Sequence, residues 1–297
     1  MSRSAALIAA LVVQIIYGLN YTFANDVIDG GYIGPFGFIL IRVSSACILF
    51  WAISIFIPSQ KIEKKDFKIL LVASIFGIAT NMLAFFKGLE YTTPIHSSVI
   101  MTVTPITVLI LSWIFLNEKI TKINVLGIFI GFIGAIALSI YGKATHSGDN
   151  ILLGNSLIFL NATAFSIYLV IIKKVVAKYH PLAFMKWLFL FGTIIVIPFG
   201  YNELAAVRWT TFTPYIWLCV SVVVIGATFL AYLLNPLALV KLRASTLSTF
   251  IYLQPVFAGI FAILLGSDTL STIKVVAAVS IFVGVYLVTK KPKSETA

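Results

Sequence analysis

Long apolar runs, separated by short polar breaks, follow one another along the whole chain. Most runs contain about 20 residues, the length that an α-helix needs to cross the hydrocarbon core of a bilayer. Breaks rich in charged, Gly, Pro and Asn residues leave ten such runs, at residues 4–24, 34–57, 67–89, 94–116, 122–141, 152–173, 181–201, 213–238, 244–266 and 271–289. The pattern therefore predicts an all-α membrane protein with ten transmembrane helices and no large soluble domain.

Composition and charge support this fold class and orient it. Hydrophobic residues make up 60% of the 297 residues and charged residues 10%, whereas soluble domains carry roughly 25% charged residues. The net charge of +11 does not indicate a nucleic-acid partner, because the basic residues form short clusters between apolar runs. With both termini cytoplasmic, 15 of the 21 Lys and Arg residues lie on cytoplasmic segments and four on outside segments. This asymmetry predicts that orientation in the cytoplasmic (inner) membrane.

A proline-to-acid phrase occurs twice, 150 residues apart. The first copy runs from Pro105 to Glu118 and the second from Pro255 to Asp268. Further matches at the same offset are Ser98 with Ser248, Thr121 with Ser271, and Gly134 with Gly284. Two repeats of five helices, residues 1–145 and 146–297, are therefore predicted. Because five is odd, the repeats cross the membrane in opposite senses, as in the inverted repeats of many secondary transporters, and enclose a central cavity.

Five phrases of the sequence are similar to those of a known family. They are YGLNYTFAN at 17–25, GPFGFILIR at 34–42, the segment 85–121, GIFIGFIGAIAL at 127–138 and the second-half segment 235–271. Together they resemble the drug/metabolite transporter superfamily, of the ten-helix EamA type, over nearly the whole chain. The sequence departs from the family pattern at Tyr17, where tryptophan is usual, and at Asp268, where glutamate is usual. The resemblance implies export of small metabolites, often amino acids, through a cavity between the halves.

Two basic residues lie inside predicted helices, Arg42 in the second and Lys186 in the seventh. A charged side chain at a helix centre costs about 2.5–3.5 kcal/mol on insertion scales, so it usually faces a cavity or a partner. We therefore expect one or both to bind the carboxylate or phosphate of a substrate. Two alternatives stay open. Lys186 reaches the membrane interface along its flexible stem, or Arg42 binds backbone carbonyls or a loop acid such as Asp26 or Asp29.

Neutral polar residues gather in the first, third and fourth predicted helices and in their repeat partners, the sixth, eighth and ninth. The cavity candidates among them are Tyr17, Asn20, Tyr21, Asn81, His96, Thr102, Thr104, Tyr168, Tyr232, Ser248, Tyr252 and Gln254. Ser97, Ser98 and Asn161 belong to the same polar groups. The family resemblance implies that these helices surround the cavity. The alternative is that the hydroxyls only bring helices together, as small and hydroxylated residues do in membranes.

Acidic residues lie in loops, at helix ends or in the C-terminal tail, and none is deep in a predicted helix. This distribution disfavours a proton relay through a mid-membrane carboxylate, and it disfavours a cationic substrate. Glu118 and Asp268 are expected at helix ends on opposite faces, where they close gates by pairing with loop cations such as Lys119 or Lys274. Pro105 and Pro255 are expected to bend their helices beside the central cavity.

The sequence predicts a secondary transporter that exports small polar metabolites, amino acids or related zwitterions, by alternating access. The alternative among transporters is an exchanger of phosphorylated or nucleotide-linked metabolites. The alternative from another class is an intramembrane enzyme on a lipid-linked substrate, although the sequence contains no familiar catalytic motif. We expect no cofactor and no metal. The expected partners are a small-molecule substrate and membrane lipid, without nucleic acid, and the expected state is a monomer or homodimer.

Overall fold

The computed structural model describes residues 1–56, 60–92, 94–140, 150–264 and 271–290. Within these ranges the chain is helical and has no β-strand. The ten helical segments are α1 (Arg3–Ile28), α2 (Pro35–Ile55), α3 (Lys64–Tyr91), α4 (Pro94–Met101 and Thr104–Leu116), α5 (Lys122–Ile140), α6 (Ile151–Val176), α7 (Pro181–Ala205), α8 (Pro214–Leu239), α9 (Ala244–Thr249, Phe250–Leu253 and Gln254–Leu264) and α10 (Thr272–Thr289). Nine of these described segments are long and apolar enough to cross a membrane, and the tenth, α5, has a shorter apolar part. The predicted all-α membrane fold is confirmed.

Sequence signals explain where several helices begin. Proline occupies the first turn of α2, α7 and α8, where its missing N–H costs no hydrogen bond and its fixed φ suits a helix. At the start of α1 the Ser2 side chain accepts a hydrogen bond from the Ala5 N–H. At the start of α6 the Asn150 side chain accepts one from the Leu153 N–H. The first helix of each half therefore begins with a side-chain cap.

Equivalent helices of the two repeats pack against each other. α2 packs along α7, α5 along α10, and α4 contacts α9. Most of the other contacts come in matched pairs. α6 packs against α3 and α4, as its partner α1 packs against α8 and α9, and α7 contacts α3, as α2 contacts α8. The contacts of α6 with α8 and of α5 with α9 have no equally extensive counterpart in the other half.

Glycines bring α5 and α10 into backbone contact. A Cβ atom at Gly284 of α10 would lie 2.5 Å from the Gly127 carbonyl oxygen and 2.7 Å from the Gly131 nitrogen, both in α5. A Cβ atom at Gly131 would also lie 2.6 Å from the ring of Tyr252 in α9. The Gly127–Gly131 pair, at GxxxG spacing, therefore forms a helix–helix contact within the same chain. Such close approach supplies the van der Waals contact that holds helices together in lipid.

Replacing Gly284 with alanine is expected to destabilise the protein by about 1–3 kcal/mol, because the added methyl group overpacks the α5–α10 contact. Thermal unfolding of the purified protein in detergent measures the effect. Gly259→Ala is the matched control, since a Cβ atom at this glycine of α9 meets no atom within 4 Å. Both changes gain the same helix propensity, so equal melting temperatures would contradict the prediction.

One pair of repeat partners, α3 and α8, departs from regular α-helical geometry at equivalent places. α3 contains a π-helical stretch at Ile75–Thr80, and α8 contains one at Val222–Leu230. The hydroxyl of Tyr232, which follows the stretch in α8, donates a hydrogen bond of 2.8 Å to the Gly77 carbonyl oxygen inside the stretch in α3. π-helical turns are rare in proteins, and those that do occur are often found at functional sites. Because both repeats contain such a stretch, the space between α3 and α8 is a candidate functional site.

The second irregular pair, α4 and α9, is interrupted just before the prolines of the repeated phrase. In α4 a turn at residues 102–103 precedes the helix that restarts with Pro105 in its first turn. In α9 the 3₁₀-helical stretch Phe250–Leu253 precedes the helix that restarts with Pro255 at its second position. Proline has no backbone N–H. It is well tolerated in the first turn of a helix because the N–H groups of that turn have no partner within the helix. The interruptions occupy equivalent positions in the two repeats.

Candidate functional site

A cavity of about 240 Å³ lies inside the helix bundle. Its walls come from α1, α3, α4, α6, α8 and α9, with one residue from α2. The polar lining residues are Tyr17, Asn20, Asn25, Arg42, Asn81, Ser97, Ser98, Asn161, Tyr232 and Gln254. On α1, α3 and α4 the lining residues all lie in the halves next to the α1–α2 and α3–α4 connections. The cavity therefore occupies the side of the bundle nearer to those connections.

Arg42 of α2 brings a guanidinium group to this cavity. Only 6% of the residue is exposed, and its Nε donates a hydrogen bond of 3.0 Å to Thr228 Oγ1 in the π-helical stretch of α8. That bond leaves the two terminal Nη groups for a ligand. Within the described parts of the chain no carboxylate forms an ion pair with Arg42. Asp26 lies in the last turn of α1, not in a loop, and accepts a hydrogen bond from Tyr215 instead. A buried cation without a counter-charge favours an anionic ligand group.

Three buried oxygen atoms of lining residues have no hydrogen-bond partner in the described structure. They are Asn20 Oδ1, Asn161 Oδ1 and Ser97 Oγ. Asn161 is held in place by its other amide atom, because Nδ2 donates a bond of 2.6 Å to the Asn81 carbonyl oxygen. An unsatisfied buried polar atom costs roughly 1–3 kcal/mol. These acceptors therefore favour a ligand that carries hydrogen-bond donors.

An apolar wall, which the sequence pattern did not predict, completes the cavity. Its larger members are Met82, Phe85 and Phe86 of α3, Met101 of α4 and Phe165 of α6. Phe85 lies four residues, about one helical turn, after Asn81, so its spacing from a predicted lining residue could have indicated that it lines the cavity. Among the described residues, no group of His, Cys, Asp or Glu side chains is placed to hold a metal ion.

Several of the predicted site residues line this cavity together. They are Tyr17, Asn20, Arg42, Asn81, Tyr232 and Gln254. Gln254, directly before Pro255, also donates a hydrogen bond of 3.0 Å from Nε2 to Gln14 Oε1, which joins α9 to α1. Asp268 lies outside the described residues, as does the side chain of Tyr21.

Other predicted residues lie outside the cavity wall for identifiable packing reasons. Tyr168 is 1% exposed because its ring packs over Gly77, and Tyr252 is 1% exposed because its ring packs over Gly131. The hydroxyls of Thr102 and Ser248 donate to carbonyl groups three residues earlier in their own helices. Thr104 is fully buried in α4, and His96 precedes the lining residue Ser97 without lining the cavity itself.

Lys186 does not lie beside Arg42. Its Nζ is 4.8 Å from the centre of the Trp51 ring and 3.4 Å from Ser54 Oγ, near the end of α2. A cation over an indole face is stabilised by the ring quadrupole. Arg42 is consequently the one charged side chain among the described lining residues of the cavity.

Glu118 closes the opposite end of the bundle, between α4 and α9. Its carboxylate accepts hydrogen bonds from the Ala244 N–H at 2.8 Å and from the hydroxyl and N–H of Ser245. The predicted pairing with a loop cation such as Lys119 is replaced by this contact, because the first N–H groups of a helix attract a carboxylate. Lys173 adds to the closure by donating to the carbonyl groups of Leu239, the last residue of α8, and of Leu242 in the α8–α9 connection.

A second contact at that face joins the α2–α3 and α6–α7 connections. Lys178 Nζ lies 2.6 Å from Glu63 Oε1 and 2.6 Å from Asp66 Oδ2. The hydrogen bond from Lys178, followed by that from Lys65, holds the pKa of the Glu63 carboxyl below its usual value. Two independent contacts thus close the face that lies opposite the cavity.

Replacing Thr228 with valine is expected to cost about 1–3 kcal/mol of stability, because Arg42 Nε would lose its acceptor in a buried site. Thermal unfolding measures the cost. Thr107→Val is the matched control, since that hydroxyl donates to the Val103 carbonyl of its own helix. Thr228 Oγ1 likewise donates to the Val223 carbonyl of its own helix. In an Arg42→Met background the cost of Thr228→Val should therefore fall to that of Thr107→Val. An undiminished cost there would contradict the assigned contact.

Comparison with known proteins finds the same family in both halves of the chain. Residues 4–140 and 152–290 each match the family model described as the EamA-like transporter family. An uncharacterized transporter of Archaeoglobus fulgidus is 28% identical over 287 residues, which cover 96% of this chain and 98% of that protein. The uncharacterized transporter YetK of Bacillus subtilis is 26% identical over 237 residues, covering 80% of this chain and 72% of YetK. The family resemblance drawn from the sequence is confirmed.

A solved crystal structure has the same fold. It covers 96% of this chain and is itself covered to 96%, with a TM-score of 0.78 at 15% sequence identity. This likeness concerns the fold alone. The first family match covers nearly all of α1–α5, and the second covers nearly all of α6–α10.

Proposed function

Because the chain belongs to the EamA-like transporter family, we propose that this multi-pass membrane protein exports small polar metabolites, amino acids or related zwitterions, across the cytoplasmic membrane as a secondary transporter. The observation that carries the substrate class is Arg42, which lines the cavity without a counter-charge among the described residues. A substrate carboxylate would offset the cost of this buried charge through two parallel hydrogen bonds.

The other lining groups suit the remainder of such a molecule. The unpaired amide oxygens of Asn20 and Asn161 would accept hydrogen bonds from an ammonium group. The wall that contains Phe85, Phe86 and Met101 would contact an apolar side chain. The cavity of about 240 Å³ is smaller than the roughly 300 Å³ at which pockets for drug-sized ligands begin. Its size supports a small metabolite as the substrate.

Alternating access would use the two repeats as inverted copies. Each half contributes five helices, and most helix contacts have a counterpart in the other half, except those of α6 with α8 and of α5 with α9. With both termini cytoplasmic, as the distribution of basic residues predicts, the cavity would face the outside and the Glu118 contact would close the cytoplasmic side. In the opposite state α4 and α9 would exchange roles, as inverted repeats allow.

A thermal-shift experiment on the purified protein tests the substrate class, because a ligand that binds only the folded state raises the melting temperature. The probes are leucine and its two truncated analogues, 3-methylbutylamine without the carboxylate and 4-methylpentanoate without the ammonium group. Phenylalanine and alanine vary the size of the side chain. We expect a neutral amino acid to stabilise the protein more than either truncated analogue does.

The same screen includes glucose 6-phosphate and UDP-glucose, which test the exchanger alternative. That alternative rested on two intramembrane cations, and the position of Lys186 beside Trp51 leaves only Arg42 among the described lining residues. Stabilisation by a phosphorylated compound, with no shift for any amino acid, would reject the proposed substrate class. Efflux of the best ligand from proteoliposomes then tests the direction of transport.

A further inference from the structure

A second polar cavity, of about 180 Å³, lies at the face opposite the main cavity. It is formed by the first residue of α1, the first turn of α5, the α8–α9 connection and the end of α10. Four basic residues line it, Arg3, Lys241, Arg243 and Lys290. We call these four residues and their cavity the basic pocket.

The basic pocket carries an excess of positive charge. No acidic side chain is among its described lining residues, and the four basic groups come from three separate parts of the chain. Arg3 is fixed in position, because Nη2 donates a bond of 2.7 Å to the Thr289 carbonyl oxygen. The positive charges of Arg3, Lys241 and Lys290 converge on one cavity, and an anion between them would offset their repulsion.

The position of the pocket relative to the membrane-spanning helices indicates which kind of anion could bind there. All four basic residues stand at the ends of helices long enough to span a membrane or in the connection between two of them. Beside the pocket, α5 and α10 expose large apolar side chains, including Phe129 at 59% and Tyr286 at 62%. The pocket thus lies at the ends of two helices that expose apolar side chains, an arrangement that suits a lipid with its acyl chains along the helices and its charged headgroup at their ends.

We propose that the basic pocket binds the phosphate of an anionic phospholipid headgroup. Basic pockets between helix ends at the cytoplasmic face are typical sites for such headgroups. Arg243 directly precedes the two residues whose N–H groups bind Glu118. A bound headgroup would therefore stabilise the α8–α9 connection at the closed face of the bundle.

Native mass spectrometry of the delipidated full-length protein tests this site with phosphatidylglycerol and phosphatidylcholine as probes. Wild-type protein should bind phosphatidylglycerol preferentially. The combined change Lys241→Gln, Arg243→Gln and Lys290→Gln should lower its affinity by about 100-fold. The matched control is Lys61→Gln, Lys64→Gln and Lys68→Gln, which removes the same charge from three exposed lysines at the same face. The control should retain wild-type affinity, and size-exclusion chromatography verifies that both variants fold.

Equal loss of affinity in the two variants would overturn the proposal, because general attraction to a basic face would then explain binding. A separate series distinguishes the source of the phosphate. Inorganic phosphate and glycerol 3-phosphate should displace phosphatidylglycerol only at concentrations far above that of the lipid. Displacement by either compound at concentrations equal to that of the lipid would reject the lipid and assign the pocket to a soluble phosphate.

Discussion

Replacing Arg42 with alanine is expected to reduce the affinity for the transported amino acid by about 10- to 100-fold. The estimate follows from the roughly 1.5–3 kcal/mol that a hydrogen bond to a charged group contributes. The ligand carboxylate would lose its only charged partner among the described lining residues. Equilibrium binding of the amino acid that produces the largest thermal shift measures the change.

Two further variants make this test specific. Arg42→Lys keeps the charge but loses both the Nε bond to Thr228 and the planar fork, so we expect it to bind weakly as well. Lys186→Gln removes a cation outside the cavity and should leave the affinity unchanged. Wild-type affinity in Arg42→Ala, with a normal melting temperature, would show that the guanidinium does not bind the substrate.

Replacing Glu118 with alanine is expected to open the closed face. The variant loses hydrogen bonds from two N–H groups and one hydroxyl at the start of α9. A closed state weakened by about 1.5–3 kcal/mol loses population to the state that is open at that face. A cysteine in place of Ser248, which is fully buried one turn deeper in α9, should then react about tenfold faster or more with a water-soluble maleimide.

This measurement uses a background in which Cys47 and Cys219 are replaced by alanine. Glu203→Ala is the matched control, since Glu203 Oε2 accepts a bond of 2.8 Å from the Gly37 N–H at the start of α2, at the opposite face. The control should leave the labelling rate at position 248 unchanged. Equal rates in Glu118→Ala and its parent would show that this carboxylate does not hold the face closed.

Most of the fold followed from the sequence, because a bilayer imposes a simple rule on the length and apolarity of each helix. The observed helices differ from the predicted ones at their ends. α1 continues to Ile28, beyond the predicted 24, and α7 continues to Ala205, beyond the predicted 201. Polar residues such as Asn25 end an apolar run but remain helical where the helix leaves the hydrocarbon. The π-helical stretches were not predicted, because Val222–Leu230 is as apolar as a regular span.

The site was harder to predict than the fold because residue type does not tell which helix lies opposite. Tyr17 and Tyr168 occupy repeat-partner helices, yet only Tyr17 lines the cavity. Tyr168 is enclosed because Gly77 on α3 leaves room for its ring. Thr228, which positions Arg42, is a single hydroxyl in an apolar run, and only the packing of α2 against α8 gives it a role.

The π-helical stretches also determine the direction, around the helix axis, in which the side chains after them project. Each residue of an α-helix advances by about 100°, since 3.6 residues complete a turn. A turn widened in this way changes the direction in which every later side chain of the same helix projects. Tyr232 follows the stretch in α8, and Asn81 and Phe85 follow the stretch in α3. A change that restored regular α-geometry would therefore rotate these side chains away from the cavity without altering any residue that lines it.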